Sequence, residues 1–177
     1  MQDEQELVKR AQQHNEEAFS ELYELYFDKI YRYISLKIGN RIEAEDMTQQ
    51  VFIKALHSIS SFRWRGFPFS AWLFRIAHNL VVDHFRKKTR QPVSALDDTV
   101  IVADDSPEKL AELKLDIEKL AMAVKKLTPA QQEVIALRFS SEFPIAQVAE
   151  IMGKSEGAVK ALQHSAVVSL RKILNVV

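Results

Sequence analysis

The chain has 177 residues, 47% hydrophobic and 27% charged, with 24 Lys/Arg against 24 Asp/Glu and no cysteine. That is enough for one medium or two small globular domains with a buried core, and it excludes disulfides and thiolate metal sites. The acidic start, M-Q-D-E-Q-E-L-V, is no signal peptide, and no apolar run approaches the ~20 residues of a membrane span. No membrane insertion is expected, and the cytoplasm is the expected location.

Gly and Pro are scarce, at four and five, and apolar residues recur at helical spacing, which predicts an all-α protein. A first helix is expected over Asp3–Gln13. Asn15 caps a second, with Leu22, Leu25, Tyr26, Ile30, Tyr33 and Ile34 along its apolar stripe and Gly39 as its left-handed stop. Asn40 caps a third, with Glu43 placed to complete a capping box, running to Ser58. A fourth helix covers Ser70–Lys88. From Thr89 to Ser106 periodicity fails, as in a linker. Ser106-Pro107 and Thr128-Pro129 each read as N-cap plus first helical residue, the second opening a helix to Phe139. Pro144 starts a short helix ending at Gly153, and Ser155 caps the last, Glu156–Leu174.

The zero net charge hides a pattern. Residues 1–94 carry 14 Lys/Arg and 12 Asp/Glu, residues 95–118 carry two and eight, and residues 119–177 carry eight and four. Two positive ends therefore flank an acidic middle of charge −6. Residues 63–90 hold seven Lys/Arg against Asp83 alone.

Three features bear on function. The final two helices, separated by Gly153, have helix-turn-helix form, whose second helix enters the DNA major groove. Projected at ~100° per residue, Val159, Leu162, Ala166, Leu170 and Ile173 make its core side. Lys160, Ala161, His164, Ser165, Val168, Arg171 and Lys172 lie opposite. Small and long polar residues near the N-terminus suit base edges, and Arg171 and Lys172 suit phosphates. An ordinary amphipathic helix with a solvated basic face shares that pattern.

The stretch F-R-W-R-G-F-P-F-S-A-W puts five rings beside two arginines. On the following helix Leu73, Phe74, Ala77, Val81 and Phe85 form the core face, with Trp72, Arg75, Asn79, Val82, Asp83 and Arg86 opposite. Rings beside Arg make a stacking surface for unpaired bases, each worth ~1–3 kcal/mol. Some rings instead anchor the loop, which is expected for Phe62 and Phe69. Trp64, between Arg63 and Arg65, fits that role less well. Third, Glu45, Asp46, Gln49 and Gln50 form a polar patch at helical spacing, read either as a docking face or as a solvated one.

Together these blocks resemble the sigma factors of bacterial RNA polymerase, in the extracytoplasmic-function (ECF) type of the sigma-70 family. A-E-D-M-T-Q-Q-V-F-I-K-A-L (Ala44–Leu56) resembles region 2.2. The aromatic stretch through Lys88 resembles regions 2.3 and 2.4. L-T-P-A-Q-Q-E-V-I-A-L-R-F through S-E-G-A-V-K-A-L-Q-H-S-A resembles region 4. The resemblance implies two helical domains, 1–92 and 107–177, joined by an acidic linker, 93–106, and no enzymatic activity or cofactor.

It further implies core RNA polymerase as a partner, including its β subunit, with the β′ coiled coil met by Glu45, Asp46, Gln49 and Gln50. Promoter DNA, duplex and single-stranded, is the second partner. Arg63, Trp64, Arg65, Trp72, Arg75, Asn79, Asp83 and Arg86 would hold the melted −10 strand, and Ser155, Lys160, Ala161, His164, Ser165 and Arg171 would read the −35 element. Capture of an extruded base offsets part of the unstacking cost, so melted DNA is favoured without ATP hydrolysis. Relatives are commonly held inactive by an anti-sigma factor, so that partner class is also implied. Two departures stand out: Gln50 replaces a usual acid, and Ser165 replaces a frequent Arg. The linker charge suits mimicry of RNA and suits a solvated linker equally.

Two other readings compete with this one. A stand-alone helix-turn-helix regulator leaves the Trp72 face and the Ala44–Leu56 block idle. An enzyme using His78, Asp83 and His84 places His78 and Asp83 ~140° apart on one helix, with no metal spacing or phosphate loop.

Overall fold

The computed structural model describes residues 2–88, 119, 120 and 122–175. Every regular element among them is helical. In chain order these are α1 (Gln2–Gln12), α2 (Glu16–Ile38), α3 (Arg41–Ser58), a 3-10 turn (Ile59–Ser61) and α4 (Phe69–Lys88). Then, after helical residues at 119, 120 and 122–125, come α5 (Pro129–Ile135), continued by a π turn (Ala136–Ser140), α6 (Ile145–Met152) and α7 (Glu156–Leu174). The expected linker and the Ser106-Pro107 helix start lie outside the described residues. The chain falls into two compact units; the first holds α1–α4, the second α5, α7 and most of α6. No helix among the described residues is long and apolar enough to cross a membrane.

The helix starts follow side-chain chemistry. Asn15 accepts from the Ala18 N–H at 2.7 Å, Asn40 from the Glu43 N–H at 3.0 Å and Ser155 from the Ala158 N–H at 3.2 Å. Each satisfies a donor that the first helical turn leaves open. Gly39, at φ 73°, closes α2 in the left-handed conformation expected of it. A full capping box forms at Thr128, which trades bonds with Gln131. At Asn40 the expected box is only half made: the Glu43 carboxylate faces α4, 3.6 Å from His84 Nε2.

In the first unit α2 lies against α1, α3 and α4. Leu22, Tyr26, Ile30, Tyr33 and Ile34 are buried along one seam, but Leu25 is 54% exposed. Its position lies ~110° from the centre of that seam, beyond the buried arc. On α4, Leu73, Phe74, Ala77 and Val81 are buried as expected, whereas Phe85 is 42% exposed. The whole last turn, 85–88, is exposed, so an apolar residue there meets the end of the core rather than its middle. Tyr33 meets Phe74 edge-on at 5.4 Å. Thr48 is buried and donates to the Ala44 carbonyl at 2.7 Å, which satisfies its hydroxyl within α3.

The second unit closes over Val134, Leu137, Phe143, Val148, Val159 and Ala166, all buried. Leu162, Leu170 and Ile173, expected in its core, are half-buried. The helix expected to run unbroken to Phe139 widens into the π turn after Ile135, with the Ser141 N–H donating to the Ala136 carbonyl.

Two consequences are measurable. Phe74→Ala removes a ring from the centre of the first unit and should cost ~3–5 kcal/mol in denaturant unfolding; a loss below ~1 kcal/mol would contradict its central place. Tyr26, buried, donates to Glu4 Oε1 at 2.7 Å and so ties α1 to α2. Burial, then the bond to Glu4 and its charge, raise this phenol above the ordinary 10.0. The folded state thus holds the proton more firmly than the unfolded chain. The associated stability is present below the unfolded value and is lost as pH rises beyond it. Thermal melts between about pH 9 and 11 should fall more steeply for the native chain than for Tyr26→Phe; parallel profiles would count against the coupling.

Candidate nucleic-acid interface

The segment from Phe62 to Trp72 forms a cluster with one ring at its centre. Phe62 is buried and meets Trp64 at 5.2 Å, Phe69 at 5.5 Å and Trp72 at 5.3 Å between ring centroids. Phe69 is also buried and meets Trp72 at 5.3 Å. Phe62 and Phe69 are therefore the anchors expected of them. Trp64 stands at the rim, 36% exposed, with its edge contact to Phe62 holding one side of the indole. Trp72, expected on the open face, is half-buried against both phenylalanines. It forms the border between cluster and stripe.

The backbone permits this arrangement at two points. Gly66 has φ +84° with open space around it, a conformation glycine adopts without strain. Pro68 then offers its carbonyl to the N–H groups of Ala71 and Trp72, starting α4. Arg63 turns back on the chain: its Nη1 donates to the carbonyls of Ser60 at 2.6 Å and Phe62 at 2.9 Å. Of the two flanking arginines, Arg63 is thus bound to the loop base, whereas Arg65 is exposed.

Along α4, Trp72, Arg75, Asn79, Asp83 and Arg86 occupy one stripe ~80° wide and ~21 Å long. Arg75, Asn79 and Arg86 are exposed and Asp83 is half-buried. Asp83 and Arg86 form an ion pair with each other. His84 faces Glu43, so His78, Asp83 and His84 do not form a common constellation.

On α3, Asp46, Gln49 and Gln50 are exposed and Glu45 is half-buried, where it pairs with Arg41 at 3.1 Å. Exposed pairs of this spacing contribute little to stability. Sequence reading missed the apolar residues of the same face. Ile42 is 71% exposed, and Ile53 and Leu56 are also exposed. Ile42, Glu45, Asp46, Gln49, Ile53 and Leu56 fall within an arc of ~100°, with Gln50 ~40° beyond its edge. The signal was available: this apolar triplet is out of phase with Ala44, Val51 and Ala55, which are buried.

Gly153, at φ 62°, makes the turn between α6 and α7, and the Lys154 N–H donates to the Ala149 carbonyl at 2.9 Å. Ser155 caps α7 as described. Lys160, His164 and Arg171 are exposed within ~40° of one another on the helix, with exposed Ala161 ~60° beyond His164. Lys160 lies 3.9 Å from Glu156. Ser165 is not brought into this group. It is half-buried, accepts from Gln131 Nε2 at 3.0 Å and donates to the Leu162 carbonyl at 3.0 Å. Its position lies ~120° from the centre of the exposed trio, on the flank turned toward α5. Arg138 reinforces the same packing by donating to Gln163 Oε1 at 3.0 Å and the Phe143 carbonyl at 2.6 Å.

Comparison with known proteins identifies the frame that carries these surfaces. The family model for Sigma-70 region 2 matches residues 22–91, and that for Sigma-70, region 4 matches residues 123–172. The chain is 42% identical over 172 residues to the ECF RNA polymerase sigma factor BldN of Streptomyces coelicolor, spanning 96% of this chain and 65% of that protein. It is 34% identical over 179 residues to the ECF RNA polymerase sigma factor SigW of Bacillus subtilis, spanning 94% of each. The sigma factor RpoE of Bartonella quintana, solved in complex with the anti-sigma factor NepR, matches with a TM-score of 0.76 at 25% identity, over 89% of this chain and 97% of that one. The chain therefore belongs to the ECF sigma factors of the sigma-70 family, the non-enzymatic promoter-recognition subunits of RNA polymerase.

Proposed function

We propose that this sigma factor divides its work along the chain. Residues 1–92 engage core polymerase and the −10 element, residues 93–106 link, and residues 107–177 read the −35 element, all in the cytoplasm. The observation that carries this reading is the continuity of one surface. Trp64 and Arg65 on the loop lead through Trp72 into the α4 stripe of Arg75, Asn79, Asp83 and Arg86. A buried Phe62–Phe69 base fixes the exposed indole of Trp64 in advance, so little side-chain entropy is lost when a base stacks on it. Arg63 has a supporting part here, through the carbonyls it binds.

The α3 face supports docking on polymerase. Its polar centre of Glu45, Asp46, Gln49 and Gln50 lies between exposed Ile42, Ile53 and Leu56. A charged or polar patch flanked by aliphatic residues can supply both steering and desolvated contact. The coiled coil of the β′ subunit is the partner assigned to this face, with the β subunit as the further core contact. On α7, Ser155, Lys160, Ala161, His164 and Arg171 face the duplex −35 element, while Ser165 acts from behind by fixing the helix to α5. The complex of Bartonella quintana RpoE with NepR supports extending the anti-sigma partner class to this chain.

Trp64→Ala and Arg75→Ala should each weaken binding of the reconstituted holoenzyme to a fork with an unpaired −10 strand, by about tenfold for Trp64. Binding to closed duplex should change far less; equal losses on both DNAs would refute the stacking role. Lys160→Ala should lower affinity for a cognate −35 duplex by about tenfold while leaving association with core polymerase unchanged. A comparable drop in polymerase affinity would count against its assignment.

A further inference from the structure

α1 ends at Gln12, ten residues before the segment matched by the region 2 family model begins. Its last side chain nevertheless reaches the base of the aromatic loop. Gln12 Nε2 donates to the carbonyl of Ile59 at 3.0 Å and to that of Phe62 at 2.9 Å. Both partners are acceptors, so the amide must present its NH2 to them, and its two hydrogens match the two carbonyls. The Phe62 N–H also donates to the Ile59 carbonyl, which closes the 3-10 turn. Gln12 thus grips both ends of the last backbone turn before the loop. Arg63 adds a bond to the same Phe62 carbonyl from the other direction.

What is gripped is the residue on which the cluster depends. Phe62 meets Trp64, Phe69 and Trp72 at ring-centroid distances of 5.2–5.5 Å. Rotation of the Phe62 backbone would carry its ring away from those contacts and swing Trp64 with it. We propose that Gln12 is a positioning residue for promoter opening: it holds the Phe62 turn so that Trp64 and Trp72 stand ready for an unpaired base. This rests on the stacking role given above to the loop. It also assigns α1 a part in DNA selectivity that its distance along the chain does not suggest.

The test uses the full chain assembled with core polymerase. Gln12→Met keeps the apolar stem and removes both donors; Gln12→Glu replaces them with an acceptor facing two carbonyls. Preference for a −10 fork over closed duplex should fall about three- to tenfold in Gln12→Met and further in Gln12→Glu. Gln12→Lys, which restores donors on a flexible stem, should recover part of the loss. Core polymerase binding should stay unchanged in all three. Combined with Trp64→Ala, Gln12→Met should add little, because the group it positions is gone.

An unchanged fork preference in Gln12→Met, beside a clear loss in Trp64→Ala, overturns this inference alone. No loss in Trp64→Ala overturns the stacking role and the inference with it. Fully additive losses, or equal losses on fork and duplex, reduce Gln12 to general stability and also overturn it. Should Gln12→Met fail to fold, Gln12→Lys decides: fork preference near the native value supports the donors, and a loss as large as that of Trp64→Ala refutes them.

Discussion

The first unit turns on the seat of one ring. Phe62 lies where the 3-10 turn ends and the loop begins, and it is in contact with every indole the chain has. A side chain buried in that position converts a loop, which would otherwise sample many conformations, into a platform of defined height and tilt. The hydrophobic effect supplies the force without direction; the edge-on contacts and the bonds to the Phe62 carbonyl supply the direction. The sequence of the segment is consistent with that demand. Gly66 permits the reversal, Pro68 begins the return, and Phe69 provides a second buried ring from the first turn of α4.

The second unit meets a similar demand by polar means. Its last helix, α7, is seated on few large apolar groups, with Val159 and Ala166 its buried residues. Small side chains allow close approach but give little orientation by shape. Orientation comes from the Gln131–Ser165 and Arg138–Gln163 bonds, which join α5 and the π turn to a single turn of α7. An Arg at position 165 could not accept from Gln131, so Ser165 serves as an internal brace between α5 and α7.

Much of this was legible in sequence wherever one residue's local chemistry decides the outcome. Asn15, Gly39, Asn40, Thr128 and Ser155 mark helix ends because a cap needs only its own turn. Projection at helical period found the buried rows of α2 and α4 and the outward trio of Lys160, His164 and Arg171. It misjudged Leu25, Phe85 and Ser165 because periodicity reports a direction and not what occupies it. Leu25 sits past the margin of the seam, Phe85 past its end, and Ser165 faces a neighbour 34 residues away in the chain. Gln12 was beyond reach for the same reason, since its partners lie 47 and 50 residues on. The apolar half of the α3 face was visible in phase but concealed by type, because isoleucine and leucine are read first as core.

The ion pair between Asp83 and Arg86 has a consequence for thermodynamics. A cation already neutralised by its neighbour displaces few counterions when an anion arrives, whereas Arg171 and Lys172 near the end of α7 are exposed. Single strands also carry a smaller condensed ion atmosphere, with a slope of about 0.7 per contact against about 0.9 for duplex. On the proposed division of contacts, the two halves of promoter recognition differ in their response to ionic strength. Under that division rising salt would loosen the grip on duplex before it disturbs stacking on the opened strand.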